Sequence, residues 1–183
     1  MRLFVSLPLD EPMRRHLASI AAAVFIEDQP DDVRWVPPEN LHVTLKFLGE
    51  VADAEVPDVI AVLGRVRPAG PVRISAGPPD SKRHAGRVRL IAAEVTDIEG
   101  HLAFLRDCIE RELEPLGFGR EKRAFWPHIT IGRSRNGVEM WLQRFKARGV
   151  VSVIDHFELM SSTLGPSGPR YVPVAKFPLT RSG

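Results

Sequence analysis

Two short segments of this 183-residue chain repeat one pattern of reactive side chains, His42-Val43-Thr44-Leu45 and His128-Ile129-Thr130-Ile131. Histidine titrates near neutral pH, so two of them can take up and return a proton within one reaction. A threonine two residues on adds a hydroxyl that can donate a hydrogen bond to a developing negative charge. Successive side chains of a strand point to opposite faces. His42, Thr44 and Lys46 are therefore expected on one face and Val43, Leu45 and Phe47 on the other, while His128 and Thr130 share a face opposite Ile129 and Ile131. An apolar face turned to a core, with His and Thr turned away from it, makes the wall of a polar cleft.

The elements that must position these groups come from hydrophobic periodicity. A strand over 2–7 precedes a helix over 11–26 whose stripe is Met13, Leu17, Ile20, Ala21 and Val24. The turn-rich W-V-P-P-E-N-L leads into the strand that starts at His42. Asp53 is expected to cap a helix running to about Val66, and Pro71 to open a strand V-R-I-S-A. The order then recurs. A strand covers 87–95, Asp97 caps a helix with Ile98, Leu102, Leu105, Ile109 and Leu113 at helical spacing, and Phe125-Trp126-Pro127 leads into the strand from His128. A short helix over 138–146 and strands over 150–161 and 171–179, joined by a G-P-S-G-P loop, complete the reading. His42 and His128 lie 86 residues apart and Leu3 and Leu90 lie 87 apart, each near half the chain. One domain over 1–183 is expected, built from approximate repeats 1–80 and 87–183 packed about a pseudo-twofold axis.

Composition narrows the class. Apolar residues are 44% and charged residues 26%, a globular balance. The longest apolar run, from Ile20 to Ile26, is too short for a bilayer, and the apolar start is broken by Pro8 and followed by Asp10 and Glu11, so neither membrane insertion nor a signal peptide is expected. The single cysteine, Cys108, excludes an intrachain disulfide and points to a reducing cytoplasm. Of 25 basic residues 20 are Arg, but the net charge is only +2, short of a dedicated nucleic-acid binder. The densest basic segments, S-K-R-H-A-G-R-V-R from Ser81 and R-E-K-R from Arg120, read as solvated loops able to track a phosphate backbone. His16, His84, His101 and His156 lack a following Thr and read as structural or surface residues. No metal-binding motif, no phosphate-binding G-x-x-x-x-G-K-[ST] and no adenylation K-x-D-G is present, so neither a metal nor another cofactor is expected.

The extended segments L-H-V-T-L-K-F-L-G and F-W-P-H-I-T-I-G-R resemble the paired signature of the two-histidine (2H) phosphoesterase superfamily, in its RNA 2′,3′-cyclic phosphodiesterase and 2′-5′ RNA ligase (LigT-like) branch. The resemblance spans the whole chain. It implies a bilobal α+β fold, each lobe an antiparallel sheet backed by helices, with the two H-x-T strands facing each other across a cleft. It also implies hydrolysis of RNA 2′,3′-cyclic phosphate ends to 2′-phosphates, with His128 as proton acceptor and His42 as proton donor, and ATP-independent 2′-5′ ligation as the reverse chemistry. Thr44 and Thr130 would bind the non-bridging oxygens. Strict alternation places Arg133 opposite His128, so it reaches the cleft only if the strand ends or bulges at Gly132. Arg133 and Lys46 are the candidate phosphate contacts, and Phe125 and Trp126 the candidates for stacking on a base. RNA ends, tRNA fragments or short oligonucleotides, are the expected partners of a cytoplasmic monomer.

Overall fold

The computed structural model describes residues 1–28, 30–140, 142, 149–165 and 168–180. Among the described residues nine strands form one antiparallel sheet: β1 (Arg2–Pro8), β2 (Arg34–Trp35), β3 (His42–Glu50), β4 (Val72–His84), β5 (Arg87–Asp97), β6 (His128–Val138), β7 (Val150–Ile154), β8 (His156–Gly165) and β9 (Gly168–Pro178). Their order is β7-β4-β5-β6-β3-β1-β8-β9, with β2 added on β6. The sheet is two four-stranded wings meeting where β3 lies beside β6, and there the recorded register is one pair, Val43 with Ile129. This is the expected two-winged α+β architecture. Each wing takes strands from both halves of the chain: β4 joins the wing of β5 and β6, and β8 and β9 join that of β1 and β3.

Three described helices cover the apolar side, α1 (Glu11–Asp28), α2 (Val56–Leu63) and α3 (His101–Leu113). In α1 the Asp10 carboxylate accepts from the Met13 N–H at 2.9 Å, and Met13, Leu17, Ile20 and Val24 are buried at helical spacing. The expected Asp53 cap is corrected. Residues Asp53–Glu55 form a 3₁₀ turn in which Glu55 Oε2 accepts from the Ala52 N–H, and α2 begins only at Val56, with Pro57 in its first turn where a missing N–H costs nothing. The Asp97 carboxylate does reach α3, accepting from Ala103 N–H at 2.9 Å, but the chain first turns at Gly100 (φ 78°) and leaves Ile98 outside the helix and exposed.

Three other expectations change. The basic segment from Ser81 is not a loop but the end of a β4–β5 hairpin, turned by Ala85 (φ 49°) and Gly86 (φ 78°), a geometry that matches strand twist. The strand expected over 150–161 breaks at Asp155, so that β7 pairs with β4 at one edge while β8 pairs with β1 in the other wing. The helix expected over 138–146 begins on a residue that ends β6, and 141 and 143–148 lie outside the described residues.

The two histidine strands bulge at equivalent places. The β1–β3 register passes from Ser6–Thr44 to Val5–Lys46 and skips Leu45; the β5–β6 register passes from Ala92–Thr130 to Ile91–Gly132 and skips Ile131. Leu45 and Ile131 are again 86 residues apart. A bulge resets alternation. Lys46 therefore does not share the face of His42: it turns under the sheet, where Nζ donates to Glu110 Oε2 at 3.0 Å and to Gly119 O at 2.8 Å. Glu110 also accepts from Arg106 and from the Glu121 N–H, so this pair ties β3 and α3 to the loop that follows. The side chains of Lys46 and Glu110 are 6% and 4% exposed, and removing one partner strands a buried charge. Glu110→Ala is expected to cost about 3–5 kcal/mol in urea denaturation, and the paired change Lys46→Met with Glu110→Leu much less.

Candidate active site

A cavity of about 500 Å³ lies between the wings. β3 supplies His42, Thr44 and Phe47, and β6 supplies His128, Thr130 and Arg133. Around the single Val43–Ile129 pair the antiparallel strands bring both His-Thr pairs to the same cavity. Phe4 of β1 and Tyr171 of β9 close one end. Arg2 and Arg34 join Arg133 in the lining, and among the described lining residues there is no Asp or Glu. The cavity is built for an anion.

Each histidine is oriented by the carbonyl two residues before it. His42 Nδ1 lies 2.7 Å from Asn40 O, and His128 Nδ1 lies 2.8 Å from Trp126 O. A carbonyl only accepts, so Nδ1 carries the proton in both rings and Nε2 is left free for chemistry. His42 Nε2 meets Thr44 Oγ1 at 3.1 Å. In the neutral ring that nitrogen is the acceptor and the hydroxyl donates. The segment before His42 is held by its prolines: Pro38–Asn40 is a 3₁₀ turn entered from Pro37, and Asn40 Nδ2 donates to Pro169 O at 3.3 Å, bracing the β8–β9 hairpin.

Burial pushes the His42 titration below the ordinary histidine range; the bond to Asn40 opposes this, and the positive charges of Arg133 and His128 add to it. Burial also lowers His128, against its bond to Trp126 and with help from Arg133 and Lys82. The free site at neutral pH thus holds two uncharged imidazoles beside a guanidinium. Burial raises the Tyr171 phenol, which keeps its proton.

Of the residues singled out in the sequence, His42, Thr44, His128, Thr130 and Arg133 converge on the cavity. The bulge delivers Arg133, whose Nη2 lies 3.4 Å from Thr130 Oγ1. Lys46 is diverted to Glu110 as described. Phe125 is also absent from the lining: it packs against the core with Arg106 over its ring, 5.1 Å from the centroid. Trp126 cannot offer a face to a base, because it stacks on the His128 ring at 4.1 Å and carries Lys82 on its other face at 4.0 Å. Alternation along the strand misses Phe47. It is 69% exposed and occupies in β3 the place that Arg133 occupies in β6, fifth after the histidine. That shared offset is the signal that strict alternation concealed. Phe4, Tyr171, Arg2 and Arg34 come from segments that carry no local motif.

The family described as LigT-like phosphoesterases matches residues 7–77 and 93–171. The chain is 33% identical over 176 residues to an RNA 2′,3′-cyclic phosphodiesterase of Archaeoglobus fulgidus, covering 93% of this chain and 96% of that one. It is 30% identical over 177 residues to the protein of the same name from Thermotoga maritima, covering 93% and 91%. A crystal structure from Thermus thermophilus superposes with a TM-score of 0.87 at 28% identity over the full length of both chains. E. coli LigT complexed with 3′-AMP shares the fold at a TM-score of 0.83 and 24% identity, over 98% of each chain. With paired H-x-T strands facing one cavity and a family match along most of its length, the chain belongs to the LigT-like 2H phosphoesterases.

Proposed function

We propose that the protein hydrolyses the 2′,3′-cyclic phosphodiester at RNA 3′ ends to a 2′-phosphomonoester, without a metal, with His128 as proton acceptor and His42 as proton donor. The observation that carries this reading is the pair of imidazoles, each with Nδ1 fixed by a carbonyl so that Nε2 is the unprotonated, reactive nitrogen, in a cavity lined by arginines. The names of the relatives from Archaeoglobus and Thermotoga supply the substrate class.

Water attacks phosphorus and gives a proton to His128 Nε2. The bond to the ribose 3′ oxygen breaks, and that oxygen takes a proton from His42 Nε2. The Thr44 and Thr130 hydroxyls and the Arg133 guanidinium face the charge that builds on the non-bridging oxygens. The exposed Phe47 ring is the surface on which the terminal base stacks. With an RNA 5′-hydroxyl attacking in place of water, its oxygen bonds phosphorus and its proton passes to His128, the 3′ oxygen leaves with a proton from His42, and the ends are joined through a 2′-5′ bond with no ATP.

Because both imidazoles are uncharged in the free site, substrate binding must charge the donor. The phosphate anion favours the imidazolium, so both titrations rise in the complex. The profile of kcat/KM reports the free enzyme and that of kcat the complex. Both limbs of the kcat/KM bell are expected on the acid side of the ordinary histidine value, and the kcat bell at higher pH than the kcat/KM bell. Coincident bells measured on a dinucleotide cyclic phosphate would remove the anion from this account.

Phosphorus NMR of a short RNA with a 2′,3′-cyclic phosphate end, incubated with the protein in EDTA, is expected to show a 2′-monophosphate. His42→Ala and His128→Ala should each slow its appearance by about 10²–10⁴-fold, and Thr44→Val or Thr130→Val by about 10²–10³-fold. A 3′-monophosphate would reverse which oxygen departs; an unchanged cyclic signal would overturn the hydrolase reading.

A further inference from the structure

Asn40 and Trp126 hold equivalent places, two residues before each histidine, and do the same backbone work. Their side chains do not. Asn40 turns away to Pro169, and the His42 ring is flanked instead by Phe4 at 5.0 Å and Tyr171 at 5.4 Å. Trp126 folds back over the histidine it orients, its indole nearly parallel to the imidazole at 15° and 4.1 Å. The outer face of the indole is capped by the Lys82 ammonium at 4.0 Å. Lys82 comes from β4, two strands away in the same wing, near the end of the basic hairpin. Neither Lys82 nor Trp126 lines the cavity.

An indole face is electron-rich and attracts a cation. Here one indole lies between a permanent cation and a ring that becomes a cation when it takes a proton. While His128 is neutral, Lys82 has the indole to itself. Protonation of His128 places a second positive charge on the same ring, two stacking spacings from the first, in a partly buried site.

We propose that Lys82 is a positioning residue for His128, acting through Trp126: it clamps the indole onto the imidazole and keeps that imidazole in the uncharged, proton-accepting form. The acceptor role rests on the function proposed above; the clamp does not. The charged and titratable groups around His128 are Arg133 on its own strand, His42 on β3, Lys82 on β4, and Glu94, its exposed cross-strand partner on β5. The downward pull on the His128 titration comes from burial first and then from Arg133 and Lys82, which agrees with the geometry. Burial comes first at both histidines and Arg133 lowers both, whereas Lys82 acts at His128, so the clamp is one of the differences between the two imidazoles.

The test compares wild type with Lys82→Met, which keeps the stem and removes the charge, and Lys82→Arg, which restores a cation able to lie on the indole. The first readout is the His128 ring titration by NMR in the free protein, which needs no substrate. Lys82→Met is expected to move it upward by about half a pH unit, leave His42 in place, and be reversed in Lys82→Arg. The second readout is the pH profile of kcat/KM on a dinucleotide cyclic phosphate, where the acid limb should follow to higher pH. An unmoved His128 titration overturns the proposal. So does a variant whose only change is a higher KM that salt abolishes, since that marks a peripheral phosphate contact. Movement of the alkaline limb instead of the acid limb supports the clamp and overturns the acceptor assignment.

Discussion

The wings of the sheet meet where Val43 pairs with Ile129, and the chemistry depends on that short contact. It sets β3 antiparallel to β6, so two segments with the same local order approach in opposite senses and both His-Thr pairs line one cavity of about 500 Å³. The matched bulges at Leu45 and Ile131 complete the arrangement. Each keeps the apolar residue after Thr in the core and then returns the fifth residue after the histidine to the cavity, Phe47 on one side and Arg133 on the other. One backbone device, used twice, thus yields an aromatic surface in one wing and a guanidinium in the other.

The electrostatics of the site follow from where carboxylates are kept. Glu110 is consumed by Lys46 and Arg106 beneath the sheet, and Asp32 is held below its ordinary range by the Asn136 N–H and the Ser134 hydroxyl at the far end of β6. The described lining holds three arginines and no acid. Burial first, and then the positive charge of Arg133, favour the uncharged form of both imidazoles, and under the proposed function the phosphate that the arginines attract would itself favour the imidazolium.

How much of this is legible in the sequence depends on what each signal reports. Helical stripes report burial directly, so Met13, Leu17, Ile20 and Val24, and Leu102, Leu105, Ile109 and Leu113, are where periodicity puts them. The H-x-T pairs report a face, and His42, Thr44, His128 and Thr130 share a cavity. Alternation carries no account of a bulge, which is backbone geometry between strands distant in sequence. It therefore assigns Lys46 to the wrong face and overlooks Phe47, and it places Arg133 correctly only on the condition that the strand bulges. The break at Asp155 is hidden for a similar reason: β7 and β8 are one run of strand-forming residues that serve opposite wings of the sheet. Phe125 and Trp126 look like binding residues because aromatic type does not say what covers a ring. A core contact with Arg106 nearby covers one, and His128 with Lys82 covers the other.

Duplication alone cannot distinguish an acid from a base. Equivalent strands, equivalent carbonyls at the preceding second residue and equivalent bulges would give two histidines of equal character, whereas the proposed reaction needs one to accept a proton and the other to donate one. The backbone here stays symmetric and the side chains do not. Asn40 braces a hairpin where Trp126 covers a ring, and Phe4 with Tyr171 surround His42 where a cation caps the stack on His128. These substitutions leave the Nε2 positions and the threonine hydroxyls as the fold sets them, because none alters β3 or β6. Under the proposed function, division of labour between the histidines is therefore carried by their neighbours, Asn40, Phe4 and Tyr171 in the cavity wall and Trp126 with Lys82 outside it.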